Sequence, residues 1–471
     1  MTNRVSTLSP GSALSGVTVK PLPTSNQRII FRSGVSEGKI YIREQQGRLQ
    51  RIRRGLNVGL IGLFMLLPLL QYQGHQAILI DLAQQRLDLF SLSLFPQDLM
   101  IVALLFILAA FLLFTATKLY GRIWCGFSCP QTVWTLMFNW LERRVEGSHS
   151  HSRALDAQPW SGQKLAKKGI KHALWLALSL ASGLTFVSYF VPVSELYPAF
   201  FGLDASLTVQ AWVGFFTLCT YVNAGWLRDK VCQHICPYAR FQSAMFDDNT
   251  RLLSYDADRG ESRGPRKRGQ KPSAAQGDCV DCDLCVQVCP VGIDIRDGLQ
   301  YPCISCGLCI DACDQTMARF NYAKGLIRFT SSRKGGRSVS GYLGYGVGVL
   351  LTVLAIMAWA NARTSFEVNV IRDRQALYRI NNQGFAENTY KFKALNKTQQ
   401  PRTYGIIVQG VYGLSIEGEA YMTVAPGQHQ THVLTVALTE DAQKGQTPIR
   451  FVVVDVKTGE HLFRKSSFYA G

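Results

Sequence analysis

Five runs of apolar residues, at 55–74, 98–120, 170–191, 207–226 and 342–360, decide most of what this chain can become. Each is long enough to cross a hydrocarbon layer of about 30 Å as a helix of about 20 residues. Inside lipid a chain must satisfy its backbone polar groups internally, and helices do so. The runs therefore predict membrane spans rather than buried helices of a water-soluble fold.

Charge sets the expected orientation. The segment after the second run carries Arg143, Arg144, Arg153, Lys164, Lys167 and Lys168, and the first and fifth runs follow basic stretches at 43–54 and at Arg333, Lys334 and Arg337. By contrast, residues 192–206 have Glu195 and Asp204 but no Lys or Arg, and the connection between the first two runs has only Arg86. The positive-inside bias places the N-terminus, residues 121–169 and residues 227–340 in the cytoplasm. Five crossings then leave the C-terminus outside. The same placement accounts for a net charge of +18 without nucleic acid, since no basic helix is interleaved with aromatics. Residues 1–50 are polar and read as a cytoplasmic segment with a disordered start and no signal peptide.

All 13 cysteines lie between Cys125 and Cys313, so a secreted disulfide scaffold is not expected. Eight form two arrays, Cys279-x2-Cys282-x2-Cys285-x3-Cys289-Pro290 and Cys303-x2-Cys306-x2-Cys309-x3-Cys313. This is the spacing of a two-cluster bacterial ferredoxin, in which the fourth thiolate of each array crosses to the other cluster. The expected ligands are Cys279, Cys282, Cys285 and Cys313 for one [4Fe–4S] cluster, and Cys303, Cys306, Cys309 and Cys289 for the other. Zinc also accepts paired Cys-x2-Cys, but two full quartets in this register favour clusters. Asp314 stands where the first array has proline, a position that supplies no ligand. Asp281, Asp283, Asp294 and Asp297 add negative charge and are expected to lower the cluster potentials.

A second pattern is Cys125-x3-Cys129-Pro130 after the second run and Cys232-x3-Cys236-Pro237 after the fourth. On one helical turn, this spacing puts both sulfurs on the same side. Two such pairs could offer four soft ligands to copper, joined by His234, or to a further cluster. The alternative is membrane-edge packing, with the prolines starting helices such as 131–141. Cys219 reads as a packing residue, and His149 and His151 as loop residues without a ligand role. After the fifth run, short alternating segments at 366–371, 376–381, 389–395, 405–409, 431–438 and 449–456 predict about seven strands of an antiparallel β-sandwich.

Taken in order, the basic lead-in to the first run, Pro96-Gln97-Asp98, both Cys-x3-Cys-Pro motifs, the paired arrays and the C-terminal β-segment resemble one family. It is that of the cytochrome c oxidase accessory proteins called CcoG, FixG or RdxA. The resemblance covers nearly all the chain after about residue 35. It implies a bacterial inner-membrane protein that reduces Cu(II) to Cu(I) during assembly of cbb3-type cytochrome oxidase. The expected catalytic or copper site is then Cys125, Cys129, Cys232 and Cys236. Expected partners are membrane lipid, oxidase assembly factors or copper chaperones, and an unidentified cytoplasmic electron donor; a homodimer is compatible. Membrane polyferredoxins of the NapH type, which take electrons from quinol, share the clusters and Cys-x3-Cys-Pro pairs but lack the exported β-domain. A redox-sensing assembly scaffold is a third reading.

The expected architecture is an α-helical membrane protein with five transmembrane helices, an inserted two-cluster ferredoxin-like domain and a C-terminal all-β immunoglobulin-like sandwich. Its parts are a segment at 1–50, four spans at 51–230, the ferredoxin domain at 231–335, the fifth span at 341–361 and a periplasmic sandwich at 362–471.

Overall fold

The computed structural model describes residues 38–267, 276–331, 340–373, 376–438 and 445–470. The expected disordered start and the basic flank Arg333, Lys334 and Arg337 lie outside the described residues. The chain divides into two compact units. The first is built from residues up to 67, 106–187 and 196–352, the second from 68–105, 188–195 and 353–471.

The first unit holds most of the helices: α1 (Arg48–Leu66), α2 (Leu99–Tyr120), α3 (Ile123–Phe127), α4 (Pro130–Glu146), α5 (His149–Ala157), α6 (Gly162–Val187), α7 (Val193–Phe201), α8 (Leu207–Thr220) and α9 (Pro237–Ala244). Among the described residues four helices are long and apolar enough to span a bilayer, namely Arg48–Leu69, Pro96–Tyr120, Gly162–Val187 and Tyr342–Ala362. The fourth apolar run departs from expectation. Its α-helix stops after 14 residues, and Tyr221–Leu227 continues as a π-helix. The wider turn brings Gly225 against Trp175, where a Cβ would stand 3.1 Å from the indole ring. Short π segments of this kind often mark functional positions. α6 and α8 also meet at Gly183, whose Cβ would lie 2.9 Å from the Val213 carbonyl. A small residue there lets the two backbones approach.

Polar side chains lock the ends of α4, α5 and α6 to the N-terminal segment. Glu146, almost fully buried, accepts from Lys168 at 2.7 Å and Ser152 at 2.6 Å and pairs with Lys171 at 2.9 Å. Glu142 pairs with Lys39 at 2.6 Å and Arg228 at 2.7 Å. Burial of Glu146 pushes its carboxyl up, but the hydrogen bonds from Lys168, Ser152 and Lys171 overcome it and hold the group down at about 2. Charges this deep are tolerable only when paired.

The cysteine-rich segment forms a small body with α10 (Ala257–Gly260), α11 (Leu284–Gln287) and α12 (Leu308–Arg319), closed by antiparallel strands Leu252–Tyr255 and Ile327–Thr330. Val288, Ile293, Ile295, Leu308 and Ala312 form its core. This body also caps α1. The Asp311 carboxylate accepts from the backbone N–H groups of Leu49 at 3.3 Å and Gln50 at 2.8 Å, two donors that a helix start leaves unpaired. Gly47 is needed here, because any Cβ would collide with that carboxylate.

The second unit contains the β-domain, which follows α13 (Ser340–Ala362). One sheet runs Leu414–Glu417, His429–Leu438, Ala386–Asn396, Phe366–Arg372, with the short Arg379–Ile380 beside Ala386–Asn396. The other runs Tyr421–Val424, Arg402–Gln409, Gly445–Asp455, His461–Ala470. The strands at 414–417, 421–424 and 461–470 were not among the sequence-read segments. Between the sheets, Phe451 sits edge-on to Tyr390 at 4.8 Å and Phe392 at 5.0 Å, and all three are fully buried. Pro96-Gln97-Asp98 acquires a structural reason in this unit: Asp98 binds Lys397 at 3.1 Å, and both are buried. Asn396, at the head of an Asn-x-Thr sequence, is fully buried and donates to the carbonyls of Gln400 and Val424.

Two outcomes are expected. Phe451→Ala should cost about 3–5 kcal/mol of stability in the β-domain, read as faster cleavage of that domain by protease in a denaturant series. Because the Glu146 carboxyl is held below its ordinary value, its contribution is complete above about pH 4.5 and is lost as pH falls towards 2. Acid unfolding of wild type should be steeper across that window than that of Glu146→Gln.

Candidate metal centre

Eight thiols converge in two groups. Cys279, Cys282, Cys285 and Cys313 line one small cavity, walled by Tyr255, Met317, Leu326 and Ile327. Cys289, Cys303, Cys306 and Cys309 line another, walled by Leu253, Ile293, Ile295 and Leu308, with Cys285 at its edge. α12 carries Cys313 from the second array into the first group, and Cys289 lies in the second.

The two arrays use one backbone solution. Asp281 and Ser305 have φ of 50° and 52°, and Asp283 and Gly307 have φ of 54° and 73°. Each Cys-x2-Cys-x2-Cys loop thus has a left-handed residue at equivalent places, which curls three sulfurs around one side of a cavity. Asp and Gly tolerate this conformation better than most residues. The second cavity is otherwise apolar, and the first adds Tyr255, Asp283, Arg296 and Thr316 to an apolar lining, so the residues present fit sulfur-ligated clusters. Burial pushes the Cys285, Cys289 and Cys313 thiols up to about 12 and Cys303 to about 11. Such thiols are neutral at pH 7 until a metal displaces their protons.

The acids expected beside the clusters are each held by an arginine. Arg296 binds Asp281 at 2.7 Å, Asp283 at 2.6 Å and Asp294 at 2.6 Å, while Arg263 stands 3.6 Å from Asp297. The acids are thus paired with arginine, and Asp283 and Arg296 both reach the first cavity.

The Cys-x3-Cys-Pro motifs also differ from the expected single helical turn. Cys125 lies in α3, the helix breaks at Ser128, and Cys129 is extended as the N-cap of α4. Likewise Cys232 lies in a π-helical turn, Val231–Ile235, and Cys236 caps α9. Both prolines occupy the first helical position, where no backbone donor is lost. The two motifs still meet. Cys125 Sγ donates to Gln242 Oε1 at 3.0 Å, and Gln242 is a fully buried residue of the helix that Pro237 starts. Burial raises the Cys125 and Cys129 thiols and pushes Cys232 to about 12, with the neighbouring thiols of the other motif adding to the rise. Among the described residues no three His, Cys, Asp or Glu side chains close to the spacing of a single-ion site. His234 is exposed, and Cys219 stays apart in α8. His151 bonds Ser148 at 2.6 Å.

Three residues not singled out by the sequence reading complete the site. Gly126, between the two cysteines of the first motif, presses on the second array: its Cβ would lie 2.6 Å from the Ile304 carbonyl oxygen and 2.9 Å from Cys306 Cα. Arg53 of α1, only 1% exposed, donates from Nε to the Gly126 carbonyl at 2.8 Å. Arg122, 2% exposed, donates to the Tyr301 carbonyl at 2.8 Å, and its charge acts on Cys125, Cys129, Cys232 and Cys303 together. The usable signal was an arginine within an apolar boundary, which is costly unless its charge is needed.

Comparison with known proteins agrees with this layout. A family model described as a 4Fe-4S dicluster domain matches residues 227–332, and one described as a 4Fe-4S binding domain matches residues 100–147. A third, for the Ig-like fold at the C-terminus of FixG, matches residues 356–471. The nitrogen fixation protein FixG of Rhizobium meliloti is 36% identical over 419 residues, 79% of each chain. This chain belongs to the FixG/RdxA family. Protein RdxA of Cereibacter sphaeroides is 34% identical over 446 residues, covering 89% of this chain and 92% of its own. A crystal structure of a FixG-related protein from Vibrio parahaemolyticus aligns with 23% of this chain and 97% of its own, at 30% identity and a TM-score of 0.21. As a FixG/RdxA member the protein is a membrane iron–sulfur electron-transfer protein. Its 100–147 match takes in Cys125 and Cys129, outside the two ferredoxin arrays.

The quartets predict a pairing of phenotypes. Cys313→Ser and Cys282→Ser should weaken the same cluster signal in electron paramagnetic resonance of the dithionite-reduced protein. Cys289→Ser should weaken the other.

Proposed function

We propose that this protein reduces Cu(II) to Cu(I) for the assembly of cbb3-type cytochrome oxidase. The supporting observation is the seating of Cys125 and Gly126 on the Cys303–Cys306 loop, which puts the membrane-edge thiols against one cluster cavity. When bound, a [4Fe–4S] cluster supplies one electron at a time, which is what Cu(II) requires.

The remaining work falls to the chain. Cys279, Cys282, Cys285 and Cys313 would hold one cluster, and Cys289, Cys303, Cys306 and Cys309 the other. Cys125, Cys129, Cys232 and Cys236 present copper with soft sulfur, which favours Cu(I). Arg122 offsets thiolate charge shared between that quartet and Cys303.

In this reading the clusters face the cytoplasm and the β-domain the periplasm, as the distribution of Lys and Arg supports. The β-domain is then available to an oxidase assembly factor or a copper chaperone.

The test uses anaerobic, dithionite-reduced full-length protein, excess reductant removed, with Cu(II) and a Cu(I)-specific chelator. Rapid chelate formation is expected in wild type and loss of most of it in Cys232→Ser/Cys236→Ser with both cluster spectra intact. Equal rates in the two proteins would exclude these thiols from the route, and no Cu(I) from either would end the copper reading.

A further inference from the structure

We infer that the first unit carries a binding site for a lipid-soluble quinol, which supplies the electrons in place of the cytoplasmic donor expected from the sequence. This deepens the copper-reduction reading and rests on it. The site is a cavity of about 510 Å³ among α4, α6 and the π-helical segment, within the usual size for a small-molecule pocket.

Part of its wall is aromatic. The His172 ring stacks on Trp226 with centroids 6.0 Å apart and stands edge-on to Trp175 at 5.2 Å. Another part is Pro290, Val291 and Ile304. These residues directly follow Cys289 and Cys303, two thiols of the second quartet. Cys232 of the membrane-edge quartet also lines the cavity. A planar ring seated there is in contact with both electron-carrying regions of the first unit.

Charge decides which class of molecule fits. The lining has six Lys or Arg side chains against three Asp or Glu. Lys39, Lys168, Lys171 and Arg228 are each paired with Glu142, Glu146 or Asp156, so the cavity offers no free carboxylate to Cu(II) among these pairs and suits an uncharged ring carrier better. Arg53 also lines the cavity: its Nε is engaged by the Gly126 carbonyl, and its Nη1 is buried without a hydrogen-bond partner among the described residues. A water-soluble nucleotide is the poorer fit, because the lining includes the start of the α6 span and Trp226, the 65% exposed end of an apolar run.

The step balances. A quinol loses two electrons and two protons to become a quinone, and the electrons reduce two Cu(II) to two Cu(I). His172 Nδ1 is 2.8 Å from Tyr221 Oη; in the tautomer in which Nδ1–H donates to that oxygen, Nε2 accepts each hydroxyl proton in turn and passes it to water.

The test uses full-length protein in phosphatidylcholine nanodiscs and has a binding readout. A photoreactive azidoquinone should label peptides containing Trp175 or Trp226, and decylubiquinol should compete. In Trp226→Ala labelling should fall about tenfold, equivalent to about 1.4 kcal/mol. In a parallel anaerobic sample, decylubiquinol should bleach the cluster absorbance of wild type. Labelling confined to other segments, clusters that stay oxidised, or a retained phospholipid that decylubiquinol does not displace would each overturn the proposal. If labelling and bleaching hold but dithionite-reduced protein yields no Cu(I), the copper reading falls and the donor site stands.

Discussion

The ferredoxin body and the Cys125 motif approach closely, and that approach depends on a missing side chain. Gly126 lies directly against the Ile304 carbonyl and the Cys306 backbone. Arg53 reinforces the contact by bonding the Gly126 carbonyl, and Asp311 caps the first turn of the same helix that carries Arg53. Helix, thiol motif and cluster loop thus form one closed set of contacts within the first unit. A side chain at residue 126 would separate the partners by several tenths of an ångström or more, and every other contact in the set would have to readjust.

The electrostatics of the site follow from that closure. Neutral thiols can be buried at modest cost, but cluster-bound or copper-bound thiolates need compensating charge. Arg53 and Arg122 are buried beside those sulfurs, whereas the aspartates of the first array are bound to Arg296 at the surface. Buried positive charge therefore stands beside the sulfurs, while the acids of the first array are themselves held by an arginine.

The fold was legible where local physics governs it. Apolar length marked the spans, thiol spacing marked the crossed quartets, and alternation marked most strands of the sandwich. It was less legible where one element's conformation depends on another. The π-helical end of the fourth run follows from packing Gly225 on Trp175, and nothing in residues 221–227 alone requires it. The Cys-x3-Cys pairs are not single turns, because Pro130 and Pro237 each start a new helix and leave the preceding cysteine as an extended cap. Strands 414–417 and 421–424 are four residues each, too short for alternation to stand out.

The sequence by itself determined that this chain enters a membrane, can hold two clusters and ends in a β-sandwich, because hydrophobic length, ligand spacing and period-two alternation are properties of neighbouring residues. The tertiary structure alone decided that Gly126, Arg53 and Arg122 join the thiol motif to a cluster cavity, and that a cavity lies between α6 and the π-helical segment. Those residues are separated by tens to hundreds of positions in the chain, and only folding brings their van der Waals surfaces and charges within range of one another.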